Sequence, residues 1–122
     1  MGKTESRATR DGDGRDLGLV ELRRGVLVLA VLSQLRERQY GYSLRQALEE
    51  AGMPIEEGTL YPLLRRLEAQ GILASEWDLG SAPPRRYYRL NAEGQRALAE
   101  LSEAWRAQAD VMHRLLKGKD RR

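Results

Sequence analysis

The 122-residue chain has no cysteine, no phenylalanine, a single histidine and four prolines. Without cysteine there is no disulfide framework, no thiolate metal site and no cysteine nucleophile. His113 stands on an expected helix with no carboxylate and nucleophile grouped around it. Glu56 and Glu57 are better explained as helix-terminal charges than as an acid–base pair. Neither a phosphate-binding glycine motif nor a metal-ligand spacing occurs. These absences exclude the common enzyme classes, and no cofactor is expected. The most apolar stretch, residues 25–32, is far shorter than the roughly 20 residues a spanning helix needs. The first 17 residues are polar and lack the apolar core of a signal peptide. The expectation is a cytoplasmic chain with no membrane partner. No charge sign dominates either: 21 Lys and Arg face 18 Asp and Glu, for a net charge of +3. So weak an excess is compatible with a polyanionic partner, but the placement of the charges decides.

What is present begins with a polar arm. Residues 1–16 have no periodic apolar residue, include several glycines and mix both charge signs, so a disordered arm is expected. Asp11, Asp13 and Asp16 resemble the start of a calcium loop. The match fails, because Asp16 stands where that loop needs Gly and Leu22 where it needs Glu. From residue 17 to 38, Leu19, Leu22, Val26, Leu29 and Leu32 recur at three- and four-residue steps, the spacing of a buried helical stripe. Val28 and Val31 widen it. Tyr40-Gly41-Tyr42 breaks the pattern, and a short helix follows over 43–51, with Leu44, Ala47 and Leu48 inward and Gly52 as its stop. Met53-Pro54-Ile55 forms a turn. A third helix covers 57–70 and is closed by Gly71, with Leu60, Leu63, Leu64 and Leu67 as its apolar stripe. Pro62 is expected in or next to the first turn, because an interior proline loses a hydrogen bond.

After Gly71 the period becomes alternating. Leu73, Ser75, Trp77 and Leu79 face one way, and Ala74, Glu76 and Asp78 the other. Residues 80–84 form a loop and 85–90 a second strand, which makes a β-hairpin. Asn91 is a good N-cap for a long final helix. On that helix Leu98, Leu101, Trp105, Gln108, Met112 and Leu115 follow a heptad-like seam, which predicts pairing with a second copy. Leu22 on the first helix is assigned to the same interface. The fold class is therefore mainly α with a small β-hairpin wing. A winged helix-turn-helix domain spans 17–90, a C-terminal dimerisation helix 91–117 and a basic tail 118–122.

In such a unit the second helix of the helix-turn-helix enters the major groove. With its leucines buried, the third helix presents Tyr61, Arg65 and Glu68, flanked by Thr59, Pro62 and Arg66. Arginine and tyrosine are the groups that meet phosphates and base edges. Three arginines, Arg85, Arg86 and Arg89, crowd the second strand around Tyr87 and Tyr88. Alternation sends Tyr88 and Leu90 inward and Arg85, Tyr87 and Arg89 outward. An ordinary solvated helix face, or an edge strand carrying arginines that deter aggregation, accounts for either element alone. Two adjacent basic elements fit a duplex better.

The segments GYSLRQAL at 41–48, EGTLYPLLRRLEAQGIL at 57–73 and RRYYRLNAEGQ at 85–95 resemble PadR-type bacterial transcription regulators, specifically the short subfamily. The resemblance covers about residues 22–116. It implies a homodimer that represses transcription from an inverted-repeat operator. By motif position it implies that Tyr42, Thr59, Tyr61, Pro62, Arg65 and Arg66 lie at or near DNA, with Arg85, Arg86 and Tyr87 in the wing. Asn91 departs from the threonine usual at that position, but asparagine also caps a helix. In some relatives a tryptophan of the last helix stacks on a small aromatic or hydrophobic effector, and Trp105 occupies the matching position. Read from the residues alone, Trp105 is interface packing more readily than a ligand plate. The competing class is a winged-helix protein–protein interaction module that does not touch DNA.

Overall fold

A computed structural model of the chain describes residues 7–118. The elements run α1 (Arg7–Gln34), β1 (Gln39–Tyr40), α2 (Gly41–Glu50), α3 (Glu57–Ala69), β2 (Leu73–Asp78), β3 (Arg85–Leu90) and α4 (Ala92–Lys117). The three strands form one antiparallel sheet in the order β1-β3-β2. Beneath it lies a core built largely from leucine. Leu32, Leu35, Leu44, Leu60 and Leu64 are fully buried, and Tyr88 is the aromatic of this core. Each such leucine contributes roughly 1.5–3 kcal/mol of burial.

The leucine spacing anticipated α2 and α3, and both end as their glycines predict. At the end of α2, Gly52 has φ +95°. Its N–H donates to the carbonyl of Glu49 and that of Met53 to Leu48. At the end of α3, Gly71 has φ +87°, and the N–H groups of Gly71 and Ile72 donate to the carbonyls of Glu68 and Leu67. Both are Schellman closures, which satisfy carbonyls the helix leaves orphaned and need a left-handed residue. Pro62 lies in the second turn of α3, next to the first, as its missing N–H leads one to expect. The acceptor it leaves without a donor is the carbonyl of Gly58, at an exposed position where water can serve instead.

Three expectations are corrected. First, α1 begins at Arg7, so residues 7–16 are helical rather than part of an arm. Residues 1–6, and 119–122 of the expected basic tail, lie outside the described residues. Once the buried stretch has nucleated a helix, each added residue gains a hydrogen bond, so growth into a polar segment is far easier than starting there. Second, α1 stops at Gln34 instead of Arg38. Leu35 turns into the core, its carbonyl accepts from Leu90 N–H at 2.9 Å, and Gln39 Nε2 caps the helix by donating to the Gln34 carbonyl at 3.0 Å. That bend brings Gln39 and Tyr40 against Tyr88 and Tyr87, adding a strand that the period did not reveal.

Third, Leu98 belongs to the monomer core, where it is 5% exposed, and not to the seam between copies. The first turns of α4 pack on the domain, and beyond them the helix leaves it. Leu101, Trp105, Met112, Leu115 and Leu116 are exposed, as are Leu19, Val20 and Leu22 on α1. Asn91 anchors the departure. Its Oδ1 accepts from Gly94 N–H at 2.8 Å, while Nδ2 donates to the Gly71 carbonyl at 2.9 Å.

Candidate nucleic-acid interface

On α3 the buried stripe leaves Thr59, Pro62, Arg65 and Arg66 exposed on the outer side. The helix is set by contacts at its entrance. Arg45 of α2 donates to the Ile55 carbonyl at 3.2 Å and to Glu57 at 3.3 Å, which fixes the turn between the two helices. Arg23 of α1 reaches the Pro54 carbonyl at 3.3 Å. Tyr61 is only partly available. Its ring lies against Gly41, so close that a Cβ there would stand 2.6 Å from Tyr61 Cζ. This tyrosine spaces α2 from α3 as well as bordering the exposed face. Tyr42 is more open, 53% exposed, and its hydroxyl accepts from Gln46 Nε2 at 3.0 Å.

The wing has two faces of different character, as strand alternation requires. On the outer face Arg85 and Arg89 are exposed, with Tyr87 between them. The ring of Tyr87 is covered by the Arg38 guanidinium at 3.9 Å and meets Tyr40 edge-on at 5.4 Å. Arg85 lies over Tyr40 at 4.3 Å, and Tyr40 stacks on Tyr42 at 6.3 Å. Three tyrosine rings in contact, two of them covered by arginines, thus run from the wing to the start of α2. Arg38 also donates to Glu76 at 2.6 Å, so its charge is already matched.

The inner face holds Arg86, beside Tyr88 and Leu90. Arg86 does not join the basic edge. Its guanidinium donates to Glu68 at 3.1 Å and to Ser75 Oγ at 3.0 Å and 3.1 Å, and Ser75 Oγ donates to Glu68 at 2.6 Å. The leucine spacing predicts Glu68 on the open side of α3 with Arg65, whereas in the structure it points toward the sheet. The parity of Arg86 with Tyr88 was the available signal, since both fall on the core side of the strand. Burial pushes the Tyr88 hydroxyl above its ordinary pKa, with Arg86 opposing the shift.

Charge pairing sorts the cations. Arg38, Arg45 and Arg86 each have a carboxylate within 4.0 Å. Among the described residues no such partner stands beside Arg65 or Arg66 on α3, or beside Arg85 or Arg89 on the wing. Gln108, Trp105, Met112 and Leu115 are exposed on the free part of α4, well separated in sequence from this basic surface. No described helix is long and apolar enough to cross a membrane.

Comparison with known proteins gives one answer. The Transcriptional regulator PadR-like family matches residues 28–100. The transcriptional regulator Rv3488 of Mycobacterium tuberculosis is 38% identical over 81 residues, covering 66% of this chain and 76% of that protein. Among solved structures, a PadR family transcriptional regulator from Eggerthella lenta is 50% identical. It superimposes with a TM-score of 0.81, over 91% of this chain and 99% of the other. A PadR-like regulator from Bacillus cereus is 29% identical with a TM-score of 0.72, over 81% and 99% of the two chains. The chain carries the same mainly helical, winged-helix fold and a regulatory rather than an enzymatic role. It belongs to the PadR-like family of transcriptional regulators.

Proposed function

We propose that this protein acts in the bacterial cytoplasm as a homodimeric repressor, binding an inverted-repeat operator with one α3 per half-site. The observation that carries the reading is the placement of guanidiniums that have no carboxylate partner among the described residues: Arg65 and Arg66 on α3, with Arg85 and Arg89 on the adjoining wing. Unmatched cations on two neighbouring elements are what phosphate contacts need, and Arg65 also has the fork geometry that reads guanine. Thr59, Pro62, Tyr42 and Tyr87 border the same surface; Tyr61 and Arg86 support it from behind.

The dimer rests on exposed apolar area. Leu101, Trp105, Met112 and Leu115 of α4, with Leu22 of α1, leave too much apolar surface in water for a lone protomer. Pairing through α4 sets two recognition helices about one helical turn of DNA apart, about 34–36 Å or slightly more. Trp105, 51% exposed, is the residue on which a planar aromatic or hydrophobic effector would stack. Its fluorescence would change on adding such a compound, and DNA would be released if the ligand prefers a dimer geometry that binds DNA poorly.

The test is fluorescence anisotropy with the intergenic DNA beside the gene. Tight, steeply salt-dependent binding is expected, equivalent to about 6 to 10 phosphate contacts per dimer. Arg65→Ala should weaken it, and Arg85→Ala and Arg89→Ala should also flatten the salt dependence. Absence of binding at low salt overturns the reading. A protein–protein module would instead leave all three substitutions silent toward DNA.

A further inference from the structure

We infer that Glu68 is a positioning residue for DNA reading, setting the angle between α3 and the wing through Arg86. The inference rests on the DNA-binding reading above and assigns a part to a carboxylate that meets no DNA.

A negative charge on a groove-reading helix is at first sight misplaced. Glu68 lies one turn beyond Arg65, and an outward carboxylate there would oppose the phosphates. Its geometry removes that conflict. Glu68 on α3, Ser75 on β2 and Arg86 on β3 form a closed triangle, each member bonded to the other two at 2.6–3.1 Å. One bond leaves a hinge free, whereas three bonds among three elements do not. The side chains of Arg86 and Glu68 are 37% and 30% exposed, so the pair is better shielded than an open surface ion pair. Its charge-assisted bonds hold the wing to the helix that reads.

The same triangle divides labour among the wing arginines. Arg85 and Arg89 face outward with no carboxylate partner among the described residues, whereas the charge of Arg86 is already matched by Glu68. Arg86 therefore sets where the wing stands and displaces no counterions.

This gives a test in which geometry and charge predict opposite signs. Glu68→Gln removes a negative charge close to DNA, so electrostatics alone predicts tighter binding. Loss of positioning predicts weaker binding to the specific site. The full-length protein is titrated against the intergenic operator fragment and an unrelated duplex of equal length, across a salt series. Glu68→Gln should weaken operator binding by about tenfold. Affinity for the unrelated duplex should hold or rise. Arg86→Gln should give a similar operator loss with the salt slope unchanged, and Ser75→Ala, which keeps the ion pair, a smaller one. The exchange Glu68→Arg with Arg86→Glu should recover part of the operator-to-unrelated ratio. Thermal melts confirm that each variant is folded at the assay temperature, and Ser75→Ala carries the test if the charge variants are not. Unchanged or tighter operator binding by Glu68→Gln overturns the inference while leaving the DNA reading intact. So does a lower salt slope for Arg86→Gln, or, where it carries the test, a Ser75→Ala variant that binds as the parent does. Failure of the unsubstituted protein to bind either duplex overturns both.

Discussion

Gly94 faces the backbone of the turn it crosses. A Cβ at this position would run into the Ile72 carbonyl oxygen and stand 3.0 Å from Leu90 Cδ2. A carbonyl cannot swing aside as a side-chain tip can, so Gly94→Ala should cost about 1–3 kcal/mol in urea unfolding. Gly58 is its control. With open space around it on α3, Gly58→Ala should stabilise by about 0.4–1 kcal/mol. Asn91 makes its two bonds with different atoms, one capping α4 and one reaching back to Gly71. Asn91→Ala should therefore cost about 1 kcal/mol or more. Asn91→Thr should cost less, since it keeps the cap and loses only the tie to Gly71. Tyr88 gives a pH signature. Burial raises its folded pKa above the ordinary tyrosine value of 10.0, so the unfolded chain releases this proton first as pH rises. Its contribution is fully present below about pH 10 and is lost above it as pH climbs toward the folded value. Chemical denaturation from pH 8 to 11 should show the decline, and Tyr88→Phe should reduce it.

At the scale of elements, α4 is divided along its length between a buried start and an exposed apolar remainder, which the proposed dimer would cover. Leu98→Ala should destabilise the protomer by about 2–5 kcal/mol, because it empties a core site. Leu115→Ala, at a position 65% exposed, should leave protomer stability nearly unchanged and weaken self-association instead. Thermal melts paired with sedimentation velocity separate the two. The heptad-like spacing could not make this distinction, since it shows which residues share a face and not where the neighbouring body ends. The apolar stripes of α2 and α3, their glycine stops and the hairpin were legible, because local period and left-handed turns are written in local sequence. β1 was not: two residues have no period, and their pairing depends on the bend at Leu35. The cationic candidates were legible as residue types. Their division into free and occupied was not, because Arg86 meets Glu68 across 18 positions and Arg38 meets Glu76 across 38.

For the whole molecule, β3 is the middle strand of its sheet and runs into α4 with only Asn91 between them. The strand's far end carries Arg85 and Arg86, while the helix carries the exposed apolar residues assigned to the partner copy. With 26 residues at about 1.5 Å each, α4 is about 39 Å long. A rotation of one degree about Asn91 then carries its far end through about 0.7 Å, by that same length. In the proposed dimer the protein would act as a pair of calipers whose handles are the two copies of α4 and whose jaws are the two wings. Whatever alters the crossing of the handles would then reset the gap between the jaws, and the spacing of the proposed half-sites would measure that crossing.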